Sequence, residues 1–211
     1  MVYIIMICMT VPLLLLMTML DNKSRLLLGF VLCGMVLAVC AYEINSLVCY
    51  SLQLSGPELS ITAAPVIEEI LKALPVLFFA VLVSDERKQI LQLAMAVGIG
   101  FAILENAFLL LTYVDEVDIG WAIARGISTS LSHGICTLTV GCGIIFVRKQ
   151  KKLFYIGTFA LLALAMTFHA TFNLLIQSQY DYVALALPIV IYAVFWIVRL
   201  KGRQLSVQTK I

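Results

Sequence analysis

Seven runs of apolar residues divide the chain, at 2–20, 26–42, 61–83, 90–113, 120–147, 153–176 and 182–199. Each is close to the roughly 20 residues that a helix needs to cross a bilayer. Lipid offers no partner to a backbone N–H or C=O, so a spanning segment of this length satisfies its own hydrogen bonds as a helix. The runs therefore predict an all-α, polytopic integral membrane protein of about seven transmembrane helices. Only 12% of the residues are charged, against about 25% in soluble domains. With so little chain left for loops, residues 1–211 read as one membrane domain.

Short polar breaks separate most of the runs: Asp21 to Arg25, Ser84 to Gln89, Asp115 to Asp118, Arg148 to Lys152, and Gln177 to Asp181. The segment 43–60 is mixed, and its Ser55-Gly56-Pro57 step predicts a short interfacial helix followed by a turn. The first run has neither a basic flank nor a small-residue cleavage site, so it reads as a retained span. Five of the six cysteines, all but Cys49, lie in apolar runs without metal-finger spacing, and no disulfide framework is expected. There is no internal repeat or low-complexity segment.

Lysine and arginine set the orientation. If seven helices alternate, Lys23 and Arg25, Arg87 and Lys88, the 148–152 cluster, and Arg199, Lys201, Arg203 and Lys210 all fall on one side. Opposite them lie Glu43, Glu58, Asp115, Glu116, Asp118 and Asp181, in loops without lysine or arginine. The N-terminus is expected outside and the C-terminus in the cytoplasm. Lys72 and Arg125 depart from the pattern; Arg125 reads as a side chain near the outer interface that snorkels.

A charge near the bilayer centre costs at least ~2.5–3.5 kcal/mol, so ionisable residues inside spans are candidates for function. The third run holds three within five residues: Glu68, Glu69 and Lys72. At 1.5 Å per residue, Glu68 and Glu69 lie about 12 Å below the outer surface, as does Glu105 on the fourth run. His133 on the fifth lies roughly 9 Å deep, and His169 and Asn173 on the sixth about 10 and 5 Å. Four helices thus bring carboxylates and both histidines of the chain to one layer in the outer half. Helical spacing lets Glu68 pair with Lys72, and puts His169 and Asn173 on one face. Gly98, Gly100 and Gly134 allow close helix packing.

Two histidines and several carboxylates can bind a divalent metal, most naturally zinc, leaving one carboxylate as general base. They can also act without metal, a buried glutamate taking the proton from water and a histidine stabilising the oxyanion. Asn173 can orient a histidine or donate to the oxyanion. Both arrangements hydrolyse a bond inside the membrane, and a substrate helix unwinding at this depth offers its peptide bonds. No H-E-x-x-H or G-x-S-x-G motif occurs, and Tyr180-Asp181 has no G-x-G-D partner. The same buried charges also suit an ion- or proton-coupled transporter, or a catalytically silent immunity or scaffold protein.

Glu68-Glu69-Ile-Leu-Lys72 resembles the E-E-x-x-K motif of the PrsW family of bacterial intramembrane proteases. Gly100-Phe-Ala-Ile-Leu-Glu105-Asn106 resembles its second motif, and Ser132-His133-Gly134 and His169-Ala-Thr-Phe-Asn173 its histidine motifs. The likeness covers about 60–176, the expected catalytic core. The related CAAX prenyl endopeptidase and Abi group shows E-E-x-x-x-R and F-x-x-x-H, where this chain has Lys72 and Glu105. The resemblance implies an intramembrane endopeptidase in a bacterial plasma membrane, cutting a single-pass membrane protein near its outer face. In PrsW itself the step is first-site cleavage of an anti-sigma factor. The partners expected are that substrate and the bilayer, with no nucleic acid.

Within this frame Glu68, Glu69, His133 and His169 are the expected catalytic residues, with Glu68 as general base. Lys72 offsets the acidic cluster, and Asn173 positions a group on the substrate or on His169. Glu105, His133 and His169 form the expected metal set, with Zn2+ as the cofactor if one is used.

Overall fold

A computed structural model describes residues 2–115 and 117–208, with side chains to residue 198. Glu116 and the tail charges Arg199, Lys201, Arg203 and Lys210 fall outside the described side chains. The described residues form eight helices: α1 Val2–Met17, α2 Asn22–Leu52, α3 Gly56–Ile61, α4 Ala63–Leu82, α5 Arg87–Thr112, α6 Ile119–Ile144, α7 Lys151–Ile176 and α8 Asp181–Gln208. By length and apolarity four can cross a membrane, namely α2, α5, α7 and the Asp181–Val198 part of α8, and α1 is a shorter apolar helix. The charges of α4 set it apart from these.

The 43–60 segment differs from expectation in its order. Rather than ending at 42, α2 continues to Leu52 because neither glycine nor proline interrupts it before Gly56-Pro57. Glu43, which read as a loop charge, accepts a 2.5 Å hydrogen bond from the Tyr3 hydroxyl of α1. The turn comes first: Gln53 takes left-handed backbone angles and closes α2 on the Cys49 carbonyl. The short helix comes second. Ser55 and Glu58 form a reciprocal capping box at its start. The Ser55 hydroxyl and backbone N–H both donate to Glu58, holding its carboxyl below the usual carboxylate range.

Helix α5 is the central post, and glycines set its distance from its neighbours. A Cβ on Gly34 of α2 would collide with the Val97 and Phe101 backbone of α5, and one on Gly100 of α5 with the Val31 backbone of α2. Gly98 of α5 stands in the same way against the backbone of His133 and Gly134 on α6. Small residues let backbones meet where lipid gives no hydrophobic drive to associate. Below these contacts Phe79, Ile90, Val97, Val140 and Ile144 join α4, α5 and α6 in an apolar core. Arg148 caps the last turn of α4 by donating to the Val81 carbonyl, and Lys149 donates to the Asp85 carbonyl at 3.0 Å. The two basic loops therefore share one end of the bundle.

Candidate functional site

Helix α4 enters the bundle with Glu69 and Lys72 turned inward, both fully buried. Lys72 Nζ lies 2.6 Å from Glu69 Oε1 and 2.8 Å from His133 Nδ1, and 4.6 Å above the Phe101 ring. The pairing of Lys72 with Glu68 does not form. Positions three and four residues apart are both within reach on a helix. The choice falls on Glu69 because His133 of α6 stands on that side, and the ammonium can serve both. A protonated lysine only donates, so His133 Nδ1 accepts.

Glu69 Oε1 also lies 2.9 Å from His169 Nδ1 on α7. A carboxylate only accepts, so His169 carries its proton on Nδ1 and presents the Nε2 lone pair elsewhere. That lone pair faces Glu68, whose Oε2 is 3.8 Å away. A carboxylate holding one ring nitrogen while the other is free is the usual support for a metal-ligating histidine. Glu68, about 100° round the helix from Glu69, turns towards α2, where Asn45 Nδ2 donates to its Oε1 at 3.3 Å. The two histidine rings meet edge to face at 4.8 Å.

Glu105 completes the cluster from α5. Its Oε2 is 2.7 Å from His133 Nε2, without hydrogen-bond alignment, and its Oε1 is 3.4 Å from the Arg125 guanidinium. Arg125 does not snorkel away to the interface. It leans over the Trp121 ring at 5.4 Å and turns inward, because Glu105 offers a counter-charge there.

The structure thus brings together Glu68, Glu69, Lys72, Glu105, His133 and His169. It does not bring Asn173. That amide donates to the Ser60 carbonyl at 2.8 Å, and Gln177 Nε2 to the Ser60 hydroxyl at 2.5 Å. Ser60 lies in the last turn of α3, where carbonyls have no partner within the helix. That free acceptor takes the side chain expected to serve His169. Residues missed by sequence reasoning are Asn45 and Phe101, and Arg125 was misplaced. The one amide between Ile44 and Leu52, in a largely apolar stretch, was the available signal for Asn45.

The donor set also differs from expectation. One ligand atom each from Glu68, His133 and His169 lie within 4.8 Å of one another. Glu105, expected as third ligand, lies outside this set and is engaged by Arg125. The cluster fits a cation on two grounds. Glu68 Oε2 and Glu69 Oε2 are buried with no hydrogen-bond partner. Three carboxylates, Glu68, Glu69 and Glu105, face two permanent cations, Lys72 and Arg125, so with all three ionised one negative charge is left for a bound cation or a proton to offset. Uncompensated charge at such depth calls for a partner.

Compared with models of protein families, residues 22–199 match one described as PrsW family intramembrane metalloprotease. No curated protein and no solved structure matches the chain.

Proposed function

The chain belongs to the PrsW family of intramembrane metalloproteases, and we propose that it cleaves a single-pass membrane protein within the outer half of the bilayer. The observation that carries this reading is the buried Glu68–His133–His169 set, with Glu68 Oε2 unpartnered and His169 locked by Glu69. The narrower form of the proposal is first-site cleavage of an anti-sigma factor in a bacterial plasma membrane. In this reading the chain crosses the membrane seven times with its N-terminus outside, which would open the site towards the outer face.

Glu68, His133 and His169 would hold a divalent cation, most naturally Zn2+ because nitrogen and carboxylate donors suit it. When bound, such a cation polarises the scissile carbonyl and makes water a stronger nucleophile. The protein's own groups do the rest. Glu69 holds His169 in the tautomer that frees Nε2. Lys72 cancels the Glu69 charge and, by donating to His133 Nδ1, leaves the ring proton on Nε2. His133 would ligate through Nε2 once that proton has left and Nδ1 has taken one from Lys72. With Glu68 committed to the donor set, the proton acceptor is Glu105, whose side chain is the more open at 30% exposed, against 12% for Glu68. Its carboxylate would take the proton from the attacking water and return it to the leaving amine. The general-base role expected for Glu68 is thereby moved to the carboxylate on the neighbouring helix.

The test uses purified protein in liposomes with a single-pass substrate. Glu68→Ala and His169→Ala should each abolish cleavage and weaken Zn2+ binding without eliminating it, and a chelator should abolish cleavage. Glu105→Gln should keep Zn2+ binding and lose about 10²–10⁴-fold in kcat. Cleavage persisting in both Glu68→Ala and His169→Ala sinks the proposal. Ion flux without cleavage in the same liposomes would replace it with a transporter using the same buried charges.

A further inference from the structure

We infer that Asn45, on α2, is a positioning residue of this site: it holds the Glu68 carboxylate so that one oxygen is kept for the donor set. The inference rests on the metalloprotease reading above, and on Glu68 being part of that set. Nothing in the E-E-x-x-K, glutamate or histidine motifs points to α2, so the site acquires a fifth helix.

Among the described residues, the Glu68 carboxylate has one hydrogen-bond partner and one ion-pair partner within 4 Å. Asn45 Nδ2 donates to Oε1 at 3.3 Å, and His169 Nε2 faces Oε2 at 3.8 Å. The sense of the amide is dictated by chemistry, since an ionised carboxylate offers no hydrogen and only the NH2 end of Asn45 can face it. With Oε1 occupied, the carboxylate plane is set and Oε2 points at the histidines. Without Asn45, no hydrogen bond among the described residues fixes the Glu68 carboxylate.

The support continues into the fold. Asn45 follows Gly34 by eleven residues, three turns plus about 20°, so both lie on nearly one face of α2. Gly34 is seated against the α5 backbone, and Gly100 of α5 is seated against α2. The face that presents Asn45 is therefore held in rotation and distance by backbone contact rather than by flexible side chains. Asn45 Oδ1 is buried without a partner. An amide serving only as glue between helices would use both ends, whereas this one is half used, and the used half is on Glu68. The amide expected at the site was Asn173, and it is tied to Ser60 instead.

The experiment is a double-mutant cycle on the full-length protein in detergent, read by Zn2+ titration and by kcat and KM on the single-pass substrate. Asn45→Leu should weaken Zn2+ binding about 10–100-fold, the usual effect of removing a support behind a ligand. It should lower kcat with KM near wild type. In a Glu68→Ala background the same change should add nothing to the loss of Zn2+ affinity, because the residue acts through Glu68. Asn45→Gln, which keeps the donor, should recover part of the affinity. Ser46→Ala, the next residue on the helix, should match wild type in every reading. Should Asn45→Leu not fold, Asn45→Ser carries the cycle. Its hydroxyl would return to the carbonyl one turn back, as that of Ser46 does to Tyr42. Zn2+ affinity within twofold of wild type in the single variant, or an equal loss in the Glu68→Ala background, overturns the inference and leaves the metalloprotease reading standing. A wild type that neither cleaves nor binds Zn2+ overturns both.

Discussion

An ammonium group placed three residues after one glutamate and four after another can pair with either, and here it pairs with Glu69 at 2.6 Å. Both partners are fully buried, so neither has solvent to fall back on. Replacing Lys72 by methionine leaves the Glu69 charge without its cation, with only the His169 Nδ1–H to meet it, and should cost about 3–5 kcal/mol. Lys72→Met with Glu69→Leu removes both charges and should recover most of that stability while leaving His169 without its support. Thermal unfolding in detergent reads the first effect and Zn2+ titration the second. A single Lys72→Met variant as stable as wild type would mean that the pair does not hold α4 in place. The residues of the cluster were legible because ionisable side chains are rare in apolar runs and their depths coincide. Their partners were not. Glu69 rather than Glu68 takes Lys72 because His133 stands beside it, and Arg125 turns inward because Glu105 does. Helical spacing on one segment carries no record of either neighbour.

Gly98, Gly100 and Gly134 marked α5 and α6 as closely packed elements, but only the fold shows that Gly98 abuts His133. A Cβ added at Gly98 would lie 2.7 Å from the His133 carbonyl carbon and 2.8 Å from Gly134 Cα. Backbone on both sides cannot yield as a side-chain tip can, so α6 must move, and His133 moves with it. Gly98→Ala should therefore lower kcat/KM about 10²-fold, the scale of a 1 Å misplacement, with weaker Zn2+ binding alongside. Gly126→Ala on α6, where a Cβ meets nothing within 4 Å, should leave both unchanged. Wild-type kinetics in Gly98→Ala would show that the α5–α6 contact does not place His133. The ends of the elements were the least legible feature. Glu43 made the second run look finished at 42, yet Tyr3 from another helix satisfies it and α2 runs on to Leu52. That one misread end is also why Asn45 was assigned to a connecting segment rather than to the site.

At the scale of the whole molecule, the helical membrane class followed from run length alone, since no other spanning structure satisfies its backbone over about 20 apolar residues. Orientation rests on charge, and the fold adds which loops share an end. Arg148 and Lys149 reach Val81 and Asp85, joining the α6–α7 and α4–α5 connections. At the other end Asn173 and Gln177 reach Ser60. His169 lies eight residues before Gln177, so it stands about 12 Å in from that second end, and Glu68, whose Oε2 is 3.8 Å from His169 Nε2, shares its depth. If the basic loops lie on the cytoplasmic side, as the positive-inside rule predicts, the cluster stands in the outer half, where the proposed cleavage would be open to a substrate's extracytoplasmic end. With the native cysteines replaced, Asp115→Cys should react with an impermeant maleimide on intact cells. Lys88→Cys should react only after the membrane is opened. The reverse pattern would place the site in the cytoplasmic half, and the substrate would then have to be cut from inside.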